Sequence, residues 1–535
     1  MNRPKITVPT TRSRTGYTVR NGVVGIIFFI LLMILQFVSR RVFINYLGAS
    51  VLGINSTIIS LLEFLNLAEM GIATAVGYSL YGPLAKGDQV AVSGILGLHR
   101  WLYRRVAVFM IIGALVLMPF FPRIFAKSGL PMWYAYSTFI VMLAGAVTGY
   151  LVNYSEVVLT ASQRDYKVNI SYRGPKVIII SLQIIAIVKY PAIGYQLWLI
   201  LEAIGIIVSA ILMRYMVGRT FPGLKISEEG SSALRRKYPN VMKITGLLIY
   251  HKIGGFLVKQ MTPFMVYLFV TVSTVAVYAN YLLIMTGMYR FVESVFKGIE
   301  AGIGNLHHTL GNDHEMALFT ELHSVRILMG SILFYAFYIC SNPFTAIWVG
   351  EEYQFSGLSV ILLGLLLYIW IIKGSTESFT LAKGVVADIW APLCEGLITL
   401  IVSISAGYYY GLNGVICGAL SGVTVMTFIW KPYYLITRGF RQSNIMILQL
   451  YYRPLIISIL IAIPVALIVK LIGSGIKMEL IERNEGIQLI IGIIKTLLFA
   501  IVFAILQYLT DKGIRRFYSR IIAHFSKAKP VKGNC

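Results

Sequence analysis

The 535-residue chain is 57% hydrophobic and only 13% charged, with a mean hydropathy of +0.76, a composition that excludes an ordinary water-soluble protein. Its net charge of +25 does not require nucleic acid, because the bases cluster in short gaps between apolar runs, as they do in the cytoplasmic loops of membrane proteins. The longest polar gap, from about Arg214 to Lys243, is too short to bury a core, which excludes a separate soluble domain and the large aqueous loop that glycosyltransferase or ligase chemistry needs.

Fourteen apolar runs are predicted to cross the membrane, each near the roughly 17 to 25 residues that span the hydrocarbon. A basic tail over 1–21 precedes the first run, 22–44. That order is like a secretory signal, but the run is too long and no small-residue cleavage site follows Gln36, so it is expected to stay as an anchor. Runs near 51–80, 101–121, 132–159, 175–191 and 193–213 complete an N-terminal lobe over 22–213. In the linker 214–241 the stretch LKISEEGSSALRRKYPNVMK, which ends just beyond it, reads as an interfacial amphipathic helix with a packing role. Runs near 242–268, 270–296, 324–349, 356–373, 385–408 and 412–436 form a C-terminal lobe over 242–436. Two added runs, 453–472 and 487–509, fall in the segment 437–510, and a basic tail over 511–535 follows. The predicted fold is all-α and polytopic: two six-helix lobes about a central cleft, plus two C-terminal helices.

Most of the 47 Lys and Arg fall in alternate gaps that include both termini, among them Arg104, Arg105, Arg235, Arg236, Arg515 and Arg516. The opposite gaps hold few, such as Arg123, Lys127 and Lys477. Both termini are therefore expected in the cytoplasm, and the number of crossings must be even.

Catalytic constellations are missing. The four cysteines, Cys340, Cys394, Cys417 and Cys535, stand apart with no CxxC, so neither a metal nor a disulfide framework is expected. His307, His308, Asp313 and His314 read as a solvated loop, and there is no phosphate-cradling GxxxxGK[ST] sequence. Transport or a pore remains.

An internal echo favours two similar halves. Asn55 and Glu69 follow a short outward turn in NYLGASVLGINSTIISLLEFLNLAEMGIA, and Asn280 and Glu293 recur at nearly the same spacing in LFVTVSTVAVYANYLLIMTGMYRFVESVF. Six crossings separate the two, which gives parallel repeats suited to alternating access. Ionisable residues within the runs carry the functional signal, since each costs a few kcal/mol at the bilayer centre. Lys252 and Lys259 are two turns apart on one helical face, with Arg290 in the next run and Lys495 in the last. If all four faced lipid the cost would reach roughly 10 kcal/mol, so at least some are expected in a paired or aqueous interior that suits an anion. Arg40 and Arg41 break the inside bias at the outer end of the first run and are candidates for a cavity mouth. Glu63, Glu69, Asp388 and Glu395 are candidate coupling or structural acids, and Arg290, Glu293, Lys297 and Glu300 equally read as a salt-bridge ladder along one helix.

The block from Arg40 or Arg41 through FINYLGASVLGIN to Asn55, followed by LNLAEMGIATAVGYSLYGPLAKGD from Leu65 to Asp88, resembles the oligosaccharide-lipid flippases of the polysaccharide transport family. HKIGG from His251 to Gly255 and VYANYLLI from Val277 to Ile284 fit that family's second lobe, so the resemblance covers about 20–450. The same superfamily holds multidrug and toxin extruders and the lipid II flippase. The resemblance implies two six-helix lobes, a V-shaped cleft and a cationic cavity for a polyprenyl-diphosphate glycan. It also implies movement of undecaprenyl-diphosphate-linked repeat units to the outer leaflet of a bacterial cytoplasmic membrane. On this reading Arg40, Arg41, Lys252, Lys259 and Arg290 bind substrate, and no metal or organic cofactor is involved. The energy would come from H+, Na+ or the membrane potential; membrane lipids, a polysaccharide polymerase and glycosyltransferases would be neighbours, and nucleic acid would not. Where many relatives place an Asp after the HKIGG block this chain has Thr262, which puts in doubt any cation site depending on that acid. Two rivals stand beside this reading. A multidrug extruder exchanging organic cations for protons or sodium would want buried acids, and the first run has none. A non-transporting scaffold of a polysaccharide synthesis complex would need no charged cleft.

Overall fold

The structure, a computed structural model, describes residues 11–69, 71–246, 261–306, 312–383, 385, 388, 390–474 and 484–527. Among them there is no strand, and eleven helical stretches are long and apolar enough to cross a membrane, so the chain is an all-helical polytopic membrane protein. Large aliphatic side chains point outward: Ile34 is 56% exposed and Ile211 63%. Asn55, Thr138 and Ser403 are buried instead, the distribution expected when lipid is the solvent.

The chain divides into two compact units, 1–276 and 277–535. In the first, α1 (Thr11–Leu47) turns at Gly48 into α2 (Ala49–Leu65); Gly48 has φ +89°, a left-handed value that an L side chain would resist. The run expected over 51–80 is in fact two helices. α2 is only 17 residues, roughly 25 Å, and a 3-10 turn over Asn66–Glu69 leads to α3 (Ile72–Lys86). The carboxylate of Asp88 then accepts the amide of Ala91 (2.9 Å) and starts α4 (Gln89–Leu117). α5 (Trp133–Leu151), α6 (Asp165–Lys189) and α7 (Gly194–Thr220) follow, with α6 packed against both α1 and α7. The expected amphipathic linker contains one short helix, α8 (Ser231–Lys237). It docks on α4 through buried Leu234, a bond from the Ser93 hydroxyl to the carbonyl of Lys225 (2.6 Å), and Tyr238 over Gly94. Of the run expected over 242–268, residues 247–260 lie outside the described residues, and α9 (Met261–Phe269) is its described end.

The second unit contains most of α10 (Val272–Leu306), then α11 (Asn312–Val349), α12 (Gly357–Ala382) and α13 (Trp390–Val425). The two crossings expected over 385–408 and 412–436 form one stretch, Trp390–Gly439, interrupted at Gly411 with φ +55°. It is a hairpin held very close. A methyl added at Gly414, Gly418 or Gly422 would collide with Ala406, Ser403 and Thr399 respectively, so the Gly-x3-Gly-x3-Gly stripe lets two backbones touch. The added helices are α14 (Arg453–Ser474) and α15 (Glu485–Thr510), the latter capped by Asn484, and both pack on α11. A last helix, α16 (Lys512–Lys527), also lies against α11.

Candidate functional site

Within the first unit a cavity of about 370 Å³ opens among α1, α5, α6 and α7. Glycines 145, 149 and 205 in its wall leave the room, and α6 supplies the charge: Lys176 stands about one turn beyond Tyr172 and Arg173, and all three line the cavity. Lys176 Nζ is 2.6 Å from Glu202 Oε1 of α7, and the other oxygen of that carboxylate accepts from Gln183 (3.0 Å). Arg173 donates to the carbonyl of Gly25 on α1 (3.3 Å), and the Tyr172 hydroxyl donates to Glu156. Asn153, Thr148 and Ser209 add polar groups to the wall. Two cations therefore face the cavity against one carboxylate.

In the second unit the charges form a bolt through four helices. Arg326 of α11 is only 1% exposed; its guanidinium donates to Glu293 of α10 (2.8 Å) and the carbonyl of Ile371 (3.1 Å), and lies 4.2 Å above the Phe296 ring. Gly374 passes directly over it, where a methyl group would meet the guanidinium. Directly before Gly374, Lys373 of α12 holds both oxygens of Glu395 on α13 (3.0 Å each) and approaches Glu377 (3.4 Å). Between α11, α12, α14 and α15 lies an almost wholly apolar cavity of about 340 Å³, lined by Phe334, Leu365, Tyr368, Ile463 and Phe499 among others. Tyr335 stacks on Phe499 at 4.3 Å to join α11 to the added pair.

The residues predicted from sequence are dispersed over these units. Lys252, Lys259 and the HKIGG block lie outside the described residues, as do His307 and His308. Arg40 is half-buried and donates to the carbonyl of Ala276 (3.5 Å), whereas Arg41, next to it in sequence, is exposed; so is Arg290 in the second unit. Glu63 is half-buried, and Glu69 accepts from the Tyr103 hydroxyl (3.0 Å). Asp388 is buried and bonded by Lys431 (2.7 Å) and the Trp430 indole (3.1 Å), and Glu395 is held by Lys373. Of the ladder expected along α10, Glu293 pairs with Arg326 on another helix, and the side chains of Lys297 and Glu300 lie outside the described residues.

Arg173, Lys176, Arg326, Lys373 and Lys431 were not singled out by the sequence, yet all five lie on helices, and Arg326 is buried inside one. The signal that could have found them is the acid on a neighbouring helix: Glu202, Glu293 and Glu395 each need a cation at their own depth.

No family model matches the chain, and no curated protein matches it. Among solved structures it is similar to the lipid II flippase MurJ in an inward closed conformation, at 15% identity and a TM-score of 0.62, covering 89% of this chain and 98% of that one. It is also similar to an inward-facing multidrug resistance MATE transporter of the MOP superfamily, at 11% identity and a TM-score of 0.60, covering 79% and 99%. The Vibrio cholerae MATE transporter VcmN aligns at 16% identity and a TM-score of 0.50, over 81% and 99%. At these identities the likeness establishes a shared fold, the one common to MurJ and the MATE transporters.

Proposed function

We propose that the chain is a flippase that moves polyprenyl-diphosphate-linked oligosaccharide repeat units across a bacterial cytoplasmic membrane for surface polysaccharide synthesis, by alternating access and without catalysis of its own. The observation that carries this reading is the apolar cavity that the two added helices close with α11 and α12, of a kind that suits an isoprenoid chain. The lipid II flippase aligns over 89% of the chain and the inward-facing MATE transporter over 79%, in keeping with a role for helices beyond the two lobes. The cation-lined cavity of the first unit supports an anionic head group, and Arg40, Arg41, Lys252, Lys259 and Arg290 remain the proposed path for the diphosphate. Coupling to H+, Na+ or the membrane potential, both termini in the cytoplasm, and a polymerase and glycosyltransferases as neighbours belong to the same reading. The extruder reading is weaker on one specific ground: Glu202, Asp388 and Glu395 are each engaged by a lysine. A scaffold would leave two cavities without purpose.

In cells lacking their own repeat-unit flippase but keeping the matching glycan pathway, the chain should restore surface polysaccharide and clear the lipid-linked precursor. Replacing Arg173 and Lys176 together with Gln should abolish that rescue at unchanged abundance. Resistance to cationic dyes without rescue would overturn the reading in favour of the extruder.

A further inference from the structure

The span α15 ends at Thr510, and Asp511 leaves helical geometry with φ −96° and ψ 120°. Its carboxylate accepts the amide of Gly513 (2.7 Å) and restarts the chain as α16, so a new helix begins where the protein leaves the hydrocarbon. One face of α16 is fixed to the protein. Ile514 is fully buried, and Gly513 packs so tightly on Thr320 and Ser324 of α11 that a side chain there would collide. Arg520 donates to Glu321 (3.1 Å), a carboxylate only 4% exposed whose second oxygen has no hydrogen-bond partner among the described residues. The opposite face is exposed and basic. Lys512, Arg515, Arg516 and Arg520 all reach solvent, and among the described residues only Arg520 of these four bonds an acid. A helix tethered at a span's end, with its apolar side on protein and its cations free, has the charge to sit on negative headgroups.

We infer that α16 is a membrane-surface element that binds anionic lipid headgroups through Lys512, Arg515 and Arg516, with Arg520 tying it to α11. This goes beyond the transport reading and rests only on α15 being a span. The full chain in nanodiscs of phosphatidylcholine alone, or with about one-third phosphatidylglycerol, provides the test, read as amide hydrogen exchange over 512–520. Each base near an anionic surface contributes roughly fivefold, so three should slow exchange in the anionic discs by on the order of a hundredfold. High salt should remove most of that difference. The triple variant K512Q/R515Q/R516Q should lose it as well, with its melting temperature in detergent unchanged because Ile514 and Arg520 still dock. Equal exchange in both lipids, or a lipid effect that survives the triple variant, would overturn the inference. Equal slowing by inorganic phosphate in phosphatidylcholine discs would assign the site to a soluble anion and overturn the lipid partner.

Discussion

The bolt through the second unit makes an asymmetric prediction about its two ends. Arg326 is sealed from water, and its contacts include the Glu293 carboxylate, the Ile371 carbonyl and the Phe296 ring. Glu293 keeps 23% of its side chain accessible. Glu293→Gln would take a charged partner from a buried guanidinium, a loss of about 3 to 5 kcal/mol. Arg326→Met removes the buried charge itself and leaves a carboxylate that water can reach, so the cost should be only about 1 kcal/mol. At roughly 2 to 4 °C per kcal/mol, the Gln variant should melt on the order of 10 °C lower and the Met variant only a few degrees lower. The double variant should melt close to Arg326→Met alone, because the unbalanced charge has gone. Purified protein in mild detergent, followed by intrinsic tryptophan fluorescence on heating, measures all three. Equal small losses that add in the double variant would refute the reasoning and reduce the pair to a surface-type contact.

Gly418→Leu should prevent the α13 hairpin from closing and remove folded protein on size-exclusion chromatography, while Gly82→Ala, with nothing within 4 Å of the added carbon, should change abundance little. Lys252→Gln with Lys259→Gln should abolish transport at normal membrane abundance, since neutral residues insert more readily, and rescue by Arg at either position should be partial. A reporter after Lys532 should be cytoplasmic and one near Glu351 external, because the loop holding Glu351 and Glu352 has no Lys or Arg; an external C-terminal reporter would change the number of crossings.

Hydropathy made the spans legible because lipid fixes both their length and their exterior, and neither depends on knowing a partner helix. Their ends were not legible. The run expected to start at 324 belongs to a helix described from Asn312; Glu315 and Glu321 are buried in the charged turns between, and Arg326 just inside the run. A hydropathy window stops at such residues, whereas a helix continues through them when another element supplies the counter-charge: Lys383, just past the end of α12, for Glu315, Arg520 for Glu321, and Glu293 for Arg326. The candidate acids were found because an acid inside an apolar run stands out. Their partners were hidden among the bases that the positive-inside pattern had already explained.

The echo between Asn55…Glu69 and Asn280…Glu293 gains physical content from what those residues touch. Both asparagines are buried, and both glutamates bond a later helix, Glu69 to Tyr103 of α4 beyond α3 and Glu293 to Arg326 of α11. Each acid bonds a helix later in its own unit, but the chemistry differs. A tyrosine hydroxyl asks only for an acceptor, which a glutamine carbonyl supplies as well as a carboxylate does; a guanidinium out of water asks for a full negative charge. Glu69→Gln should therefore cost no more than about 1 kcal/mol, against the 3 to 5 expected for Glu293→Gln. Thermal melting of the two single variants side by side checks this directly. A loss at Glu69 as large as that at Glu293 would mean that the first acid also balances a buried cation, and that its bond to Tyr103 is secondary.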